Sequence, residues 1–293
     1  MMNAVLLVAI IVGGTAILSW PLGRYMKWAM DPDLPPGGPV GWTRAFQWIG
    51  GPLTRTSHNW KQYMVAMLLF NAVMFTVTFS ILALQQYLPL NPDGMGPVEG
   101  SLIFNTTASF TSNTNLQHYS GESTLSYLSQ LGGLMWLQFV SAATGIAALA
   151  ALARGLAGRE TMGNFFVDLQ RASFLVLLPV ALIVASLMVI WGMPMTLEGA
   201  AQATALEGAE QTIARGPVAA FLTIKQLGTN GGGFFGPNST HPFENPNFWT
   251  NGLAMISIIL IPMACVWMFG RIVGRMRHAT VVLASLRQTA RKP

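Results

Sequence analysis

Five long apolar stretches constrain the fold more than any other feature of this sequence. They cover residues 2–20, 63–88, 125–153, 174–191 and 248–269. Each approaches or exceeds the roughly 20 residues that a helix needs to cross a bilayer. Only 9% of the 293 residues are charged, against about 25% in an ordinary soluble domain. The sequence therefore predicts an all-α integral membrane protein in contact with lipid, and its net charge of +5 is no reason to expect nucleic-acid binding.

The basic residues between these stretches predict the orientation in the membrane. Fourteen of the sixteen Lys and Arg lie in segments 24–61, 154–171 and 271–293, and only Arg215 and Lys225 lie elsewhere. If the spans alternate, all fourteen are on one side. An excess of basic residues marks the cytoplasmic side, so the N-terminus is expected outside and the C-terminus in the cytoplasm.

The first apolar stretch is interpreted as a retained span that precedes a repeated unit. No basic residue comes before it, and it is long for the apolar core of a signal peptide. Pro21 predicts its end on the basic side. The predicted segments are an extra transmembrane helix at 1–22, a cytoplasmic loop at 23–62, a first pore-loop repeat at 63–153, a cytoplasmic linker at 154–173, a second pore-loop repeat at 174–270 and a basic cytoplasmic tail at 271–293.

Each predicted repeat contains a short apolar segment followed by a polar motif. The short segments are Ser101–Phe110 and Pro217–Leu227, the second of which follows a predicted loop at 192–216. As helices they are about 15–17 Å long, half of a hydrocarbon core of roughly 30 Å. The motifs are Thr111–Asn115 and Gly228–Gly233. Irregular backbone at membrane depth is tolerated where it is buried in protein or lines a water-filled cavity, so the pattern predicts two parallel helix–pore loop–helix units.

The polar motifs have two possible interpretations. Gly228–Gly233 can be a helix C-cap and a flexible turn, or a filter in which glycines let successive carbonyl groups face one axis. Rings of carbonyl groups replace the hydration shell of potassium in known filters. Threonine hydroxyl groups are expected to add ligands, namely Thr111, Thr114 and Thr229. Asparagines are expected to brace the loops from behind, namely Asn113, Asn115 and Asn230.

Two acidic residues follow the motifs, and their interpretation stays open. Glu122 and Glu244 can form an outer vestibule that concentrates cations. Alternatively they are solvated loop charges or caps of the next helix. Because the sequence has neither a phosphate-binding loop nor an Asp-Lys-Thr-Gly phosphorylation motif, this chain is not expected to bind or hydrolyse ATP.

Three strings of the sequence resemble one known family. Asn59–Tyr63, Thr111–Glu122 and Gly228–Pro246 are similar to the potassium-binding A subunit of the bacterial Kdp potassium-transporting ATPase. The resemblance implies the potassium-transporter fold of repeated pore-loop units and high-affinity, ATP-driven uptake of K⁺ across the bacterial inner membrane. It also implies partners, namely a P-type ATPase B subunit that hydrolyses ATP, a small C subunit and an F peptide.

The resemblance further implies which residues bind the ion. The filter positions that it implies are Ser112, Asn113, Thr114, Asn115, Thr229, Asn230, Gly231 and Gly232. Gly228 and Gly233 flank them, and Gln117 matches a position tied to ion affinity in the family.

The sequence departs from the family pattern in its number of repeats. Members of the family have four pore-loop units, whereas this chain has two of the usual four, and two units cannot surround a desolvated ion. The expectation is a fragment of the ordinary subunit, with a split subunit or a dimer as alternatives. Functional alternatives are a passive potassium channel or symporter subunit of the same superfamily, and a non-functional truncated fragment.

Overall fold

The structure, a computed structural model, describes residues 2–31 and 41–289 of a largely helical chain. The α-helices are α1 (Met2–Met30), α2 (Trp42–Gly50), α3 (Trp60–Ala83), α4 (Gly100–Thr111), α5 (Gly121–Thr124), α6 (Trp136–Leu156), α7 (Phe165–Arg171), α8 (Leu178–Ile190), α9 (Val218–Leu227), α10 (Phe248–Ile272) and α11 (Met276–Thr289). The 3₁₀ turns are Gly51–Thr54 and Gln85–Tyr87, and the π-helical turns Ser129–Met135 and Ala172–Leu177 continue into α6 and α8. Two strands, β1 (Ala201–Thr204) and β2 (Glu210–Ile213), complete the description.

Five helices are long and apolar enough to cross a membrane. They are Leu6–Met30, Trp60–Ala83, Ser129–Leu156, Phe165–Ile190 and Phe248–Ile272, with lengths of 24 to 28 residues. These lengths exceed the roughly 20 residues that a span requires. The prediction of an all-α, multi-pass membrane protein is confirmed.

The predicted end of the first span at Pro21 is wrong, because α1 continues through Pro21 to Met30. A proline removes one hydrogen-bond donor from a helix, but membrane helices tolerate this where neighbouring groups compensate. The turns after Pro21 also pack closely against α10. A Cβ atom on Gly23 would lie 2.5 Å from the Cβ of Trp267 and 2.7 Å from the carbonyl oxygen of Ala264. Close packing therefore continues the helix where the local sequence favours a stop.

The contacts divide the chain into two compact units. The first unit comprises Met1–Phe70, Ala143–Pro179 and Ile256–Pro293, and the second unit comprises Asn71–Ala142 and Val180–Met255. Both polar motifs belong to the second unit.

A buried ion-pair network holds the first unit together around Arg154, which is 5% exposed. Its guanidinium group donates to both carboxylate oxygens of Asp168 at 2.6 and 3.0 Å and to Asp31 at 3.3 Å. It also donates to the carbonyl oxygens of Met30 and Met162. The hydroxyl group of Tyr63 donates to Asp168 at 3.1 Å. Since buried charges are costly unless they are paired, this network fixes how the ends of α1, α3, α6 and α7 meet.

A β-hairpin occupies part of the segment 192–216, which was predicted only as a loop. β1 and β2 pair antiparallel, with Ala201 opposite Ile213 and Thr204 opposite Glu210. Gly208, at a φ of 82°, closes the turn between them. The two strands have only four residues each, so their alternating pattern is too short to be distinctive in the sequence.

Replacing Arg154 by Gln is expected to destabilise the chain by about 3–5 kcal/mol, because Asp168 then stays buried without its main countercharge. Arg159 offers a matched control, since it also pairs with Asp31 but its side chain is 47% exposed. Arg159→Gln is expected to cost at most about 1 kcal/mol. Denaturant unfolding in detergent micelles measures both. Equal losses in the two variants would contradict the structural role assigned to Arg154.

Candidate functional site

Two short helices of the second unit end where the polar motifs begin. α4 has 12 residues and α9 has 10, so the predicted short helical segments are confirmed. At 1.5 Å per residue they are about 18 and 15 Å long. Pro217 immediately precedes α9 and does not belong to it.

Glu99 caps the start of α4. Its carboxylate accepts hydrogen bonds from the backbone N–H groups of Ser101 and Leu102, both at 3.0 Å. Bonds from the Ser101 side chain and from these N–H groups hold the pKa of the Glu99 carboxyl below its usual range. A negative charge at this end also matches the helix dipole, so the capping residue helps to fix where α4 starts.

The C-terminal ends of α4 and α9 repeat the same backbone hydrogen bonds at an offset of 116 residues. The bonds after α4 run from Ser112 N to Ala108 O, from Asn113 N to Phe110 O and from Thr114 N to Ser109 O. Those after α9 run from Gly228 N to Ile224 O, from Thr229 N to Gln226 O and from Asn230 N to Lys225 O. Each set is a Schellman cap. The C-cap that was one interpretation of Gly228–Gly233 is therefore present after α9, and a second cap, which was not predicted, ends α4.

Positive φ angles repeat at the same offset, but not mainly at glycines. Asn113 and Thr229 have φ of 62° and 53°, and Asn115 and Gly231 have φ of 51° and 118°. A β-branched residue such as Thr229 is strained in this region, and strain of this kind clusters at functional sites. The expectation that glycines supply the unusual backbone geometry holds here only for Gly231.

Side chains of the two motifs brace one another. Asn230 donates through Nδ2 to Oδ1 of Asn113, which also accepts from the Ser141 hydroxyl group at 2.7 Å. Asn113 donates in turn to the carbonyl oxygen of Gly228 at 3.2 Å. The expected bracing role of Asn113 and Asn230 agrees with these contacts. The segments after α4 and α9 are thus held together, which a flexible turn would not be.

Gln117 joins the two motifs a second time. Its amide accepts from Gly233 N at 2.8 Å and donates to Gly233 O at 3.2 Å. Side chains also occupy the preceding carbonyl oxygens, because Gln138 donates to Gly232 O at 2.9 Å and Asn238 donates to Gly231 O. The carbonyl groups of three consecutive glycines are therefore oriented by protein donors.

Four other carbonyl groups are open. Those of Thr114, Asn115, Thr229 and Asn230 accept no hydrogen bond from any residue that the structure describes. The two segments also approach closely, because a Cβ atom on Gly231 would lie 3.6 Å from Thr114 O and 3.9 Å from Asn115 O. We call these four groups the open carbonyl set. Oxygen atoms of this kind are ligands that a hard monovalent cation can use.

Asn115 differs from the other two asparagines. It is 3% exposed, and neither polar atom of its side chain has a hydrogen-bond partner among the described residues. Its predicted bracing role is therefore not shown. Thr107 and Thr223 likewise have buried, unpartnered hydroxyl groups, and their positions in α4 and α9 differ by the same offset as the caps. Sequence reasoning missed these two threonines, although the repeat offset would have found them.

Neither acidic residue has the surroundings of an open vestibule. Glu244 is 1% exposed and lies 3.3 Å from Nζ of Lys225, which is 4% exposed. The Glu244 carboxylate also accepts from Phe235 N at 2.9 Å and Ser239 N at 2.6 Å. The interpretation of Glu244 as a solvated loop charge or cap is wrong, because its carboxylate is buried and bonded to preceding backbone; its role in a vestibule stays a prediction. Its carboxylate organises the backbone that follows the glycine motif.

Glu122 is half-buried, and its carboxylate also organises backbone, because it accepts a hydrogen bond from Gly236 N at 2.9 Å. Lys225 is the partner of Glu244 that reasoning from sequence missed. The sequence analysis noted it only as a basic residue outside the cytoplasmic segments. A lysine in the apolar α9 and a glutamate 19 residues later were the available signal, since charges in apolar surroundings are usually paired.

Close packing leaves no room for a side chain at residue 232. A Cβ atom there would lie 2.5 Å from Cζ of Phe110 and 3.3 Å from Asn115 O. Phe110 is fully buried, so its ring has little room to move. Any side chain at residue 232 therefore displaces either the ring or the first polar motif.

The family match and the individual relatives of this chain carry the same kind of name. Residues 8–290 match the family described as Potassium-transporting ATPase A subunit. Relatives named potassium-transporting ATPase potassium-binding subunit include proteins from Pseudomonas putida (51% identical over 240 residues, 81% of this chain and 43% of the relative) and Mesorhizobium japonicum (46% over 290 residues, 97% and 51%). A third, from Pseudomonas aeruginosa, is 52% identical over 233 residues, 79% of this chain and 41% of the relative. The chain thus spans about half the length of the curated relatives that it matches.

The strained residue Thr229 generates a stability prediction. Thr229→Gly is expected to be more stable than Thr229→Ala by about 1 kcal/mol, because an L side chain is penalised at positive φ. Thr114 is the matched control, since it is also exposed but is absent from the residues of positive φ. There the order should reverse, because Gly costs more backbone entropy than Ala. Thermal unfolding in detergent compares the four variants, and the same order at both positions would contradict the assigned strain.

Proposed function

Because the chain belongs to the potassium-transporting ATPase A subunit family, we propose that it binds potassium within the translocating subunit of an ATP-driven uptake complex. The single observation that carries this proposal is the pair of capped helices whose following segments leave four carbonyl oxygens open. The chain covers 41–51% of its curated relatives, so transport by the whole assembly is part of the proposal.

The proposed mechanism is the replacement of the hydration shell of K⁺ by backbone oxygen atoms. The open carbonyl set, Thr114, Asn115, Thr229 and Asn230, supplies the first ligands. α4 and α9 both end at these segments, and the negative end of each helix dipole favours a cation there. The hydroxyl groups of Ser112 and Thr114, which lie 3.1 Å apart, add oxygen atoms on the exposed side of the first motif.

The remaining filter positions shape the backbone. Asn113 braces the first motif, while the carbonyl groups of Gly231 and Gly232 are oriented by Asn238 and Gln138. Gln117 acts on ion affinity by fixing Gly233 next to the filter. In this proposal side-chain donors occupy the glycine oxygens and hold that backbone in place, and the main-chain oxygens of the open carbonyl set stay available to the ion.

Two pore-loop units provide half of the oxygen shell. By resemblance to the family, two further units complete the ring of four. Potassium enters from the outside of the bacterial inner membrane, with the N-terminus outside and the C-terminus in the cytoplasm. This chain binds no ATP. A P-type ATPase B subunit hydrolyses it, and a small C subunit and an F peptide complete the complex.

Gly232→Asp tests the filter assignment. The new side chain is expected to displace Phe110 or the carbonyl group of Asn115, and a charge enters among neutral oxygen ligands. We expect the preference for rubidium over sodium to fall by about tenfold or more, the equivalent of 1.4 kcal/mol. The measurement is competition of the two ions for uptake by bacteria that lack their own potassium pumps and express this chain with its partner subunits.

Gly208→Asp is the matched control, because it adds the same charge in the open hairpin turn, where no atom lies within 4 Å of a new Cβ. Its ion preference should equal that of the unaltered chain. Unchanged preference in Gly232→Asp, in a complex that still assembles, would refute the filter assignment. Absence of any uptake that depends on this chain would refute the function itself.

A further inference from the structure

A polar cavity of about 220 Å³ lies within the first unit. Four guanidinium groups line it, those of Arg55, Arg154, Arg159 and Arg171, together with two carboxylate groups, those of Asp31 and Asp168. Four hydroxyl-bearing residues between 54 and 161 also contribute to its walls. No part of the proposed potassium site belongs to this cavity.

The balance of charge in the lining favours an anion. Both carboxylates are already matched, because Arg154 bonds both oxygens of Asp168 and Arg159 bonds both oxygens of Asp31 at 2.9 and 2.6 Å. The lining then carries two more cationic groups than anionic ones. Arginine and hydroxyl donors together are the usual partners of phosphate oxygens.

The walls of the cavity come from the ends of membrane spans. Asp31 follows α1, Ser57 shortly precedes α3, and Arg154 and Asp168 lie on α6 and α7. These ends carry the basic residues that predict the cytoplasmic side. Basic pockets between helices on that side are known to bind anionic lipid head groups. The cavity is thus at the depth where a phospholipid head group is found.

An exposed apolar surface adjoins the cavity. Gln47 and Thr54 line the cavity, while Trp48, Ile49 and Leu53 next to them are 84%, 65% and 63% exposed. α2 carries one basic residue, Arg44, and exposes an apolar face, a combination that favours a position in the membrane interface. Free phosphate has no apolar group that can cover this surface, whereas a phospholipid has acyl chains that can.

We propose that this cavity binds the phosphate group of an anionic phospholipid, whose acyl chains lie along Trp48, Ile49 and Leu53. The inference is independent of potassium binding. Arg55 is the residue that tests it, because its side chain is exposed and lines the cavity. Arg44 is the matched control, since it is also exposed and lies on neighbouring α2 but does not line the cavity.

Native mass spectrometry of the full chain in detergent measures lipid binding directly. Phosphatidylglycerol is compared with phosphatidylcholine of the same acyl chains, and glycerol 3-phosphate is the soluble competitor. We expect phosphatidylglycerol to bind preferentially, and Arg55→Gln to weaken it by about tenfold, as for the loss of a charge-assisted hydrogen bond. Arg44→Gln should stay within about twofold of the unaltered chain, and millimolar glycerol 3-phosphate should not displace the lipid.

Three results would overturn the proposal. Equal binding of the two lipids would exclude an anion-selective site. Equal losses in Arg55→Gln and Arg44→Gln would indicate general surface attraction. Displacement of the lipid by glycerol 3-phosphate would mean that the cavity binds a soluble phosphate compound. None of these outcomes bears on the proposed potassium function, which the uptake experiment tests separately.

Discussion

The side-chain bracing between the two polar motifs is the interaction on which the rest of the proposed site depends. A backbone oxygen has its full acceptor capacity for a cation only where no hydrogen-bond donor already uses one of its lone pairs. Each Schellman cap ends its helix and turns the chain, and the bond between Asn230 and Asn113 then holds the two turned segments against one another. Gln117, Gln138 and Asn238 orient the glycine carbonyl groups that follow. Carbonyl groups held in fixed positions define a cavity of one size, which is one source of ion selectivity in carbonyl filters.

The buried charged side chains are paired with one another, whereas the open carbonyl oxygens have no partner among the described residues. In the first unit Arg154 joins Asp31 and Asp168, and in the second unit Lys225 joins Glu244. Each pair is nearly inaccessible, and each is surrounded by further hydrogen bonds. Removing one member leaves an uncompensated charge, which is far more costly than the pair is favourable. Arg154 therefore specifies one arrangement of the first unit, and Lys225 with Glu244 specifies one arrangement of the second unit, which contains the neutral oxygen atoms proposed to meet the ion.

Much of this architecture was predictable, because hydropathy and length follow directly from the bilayer. The five spans and the half-length helices α4 and α9 were found for that reason. The offset of 116 comes from the hydrogen bonds of the caps, because the Thr-Asn pairs of the two motifs, Thr114-Asn115 and Thr229-Asn230, are 115 residues apart. Details decided by tertiary packing were not predictable. α1 continues past Pro21 because Gly23 packs against α10. Thr229 adopts the conformation expected of glycine, and Glu244 is buried because Lys225 lies beside it. Those features depend on contacts between residues distant in the sequence.

The position of the bound ion tests the central claim most directly. Crystals of the assembled complex grown with thallium, which substitutes for potassium and scatters X-rays anomalously, would locate it. The account predicts an anomalous peak in direct contact with main-chain oxygens of the open carbonyl set, Thr114, Asn115, Thr229 and Asn230. A peak at a carboxylate such as Glu244, or a well-occupied site elsewhere with none between the two motifs, would contradict it.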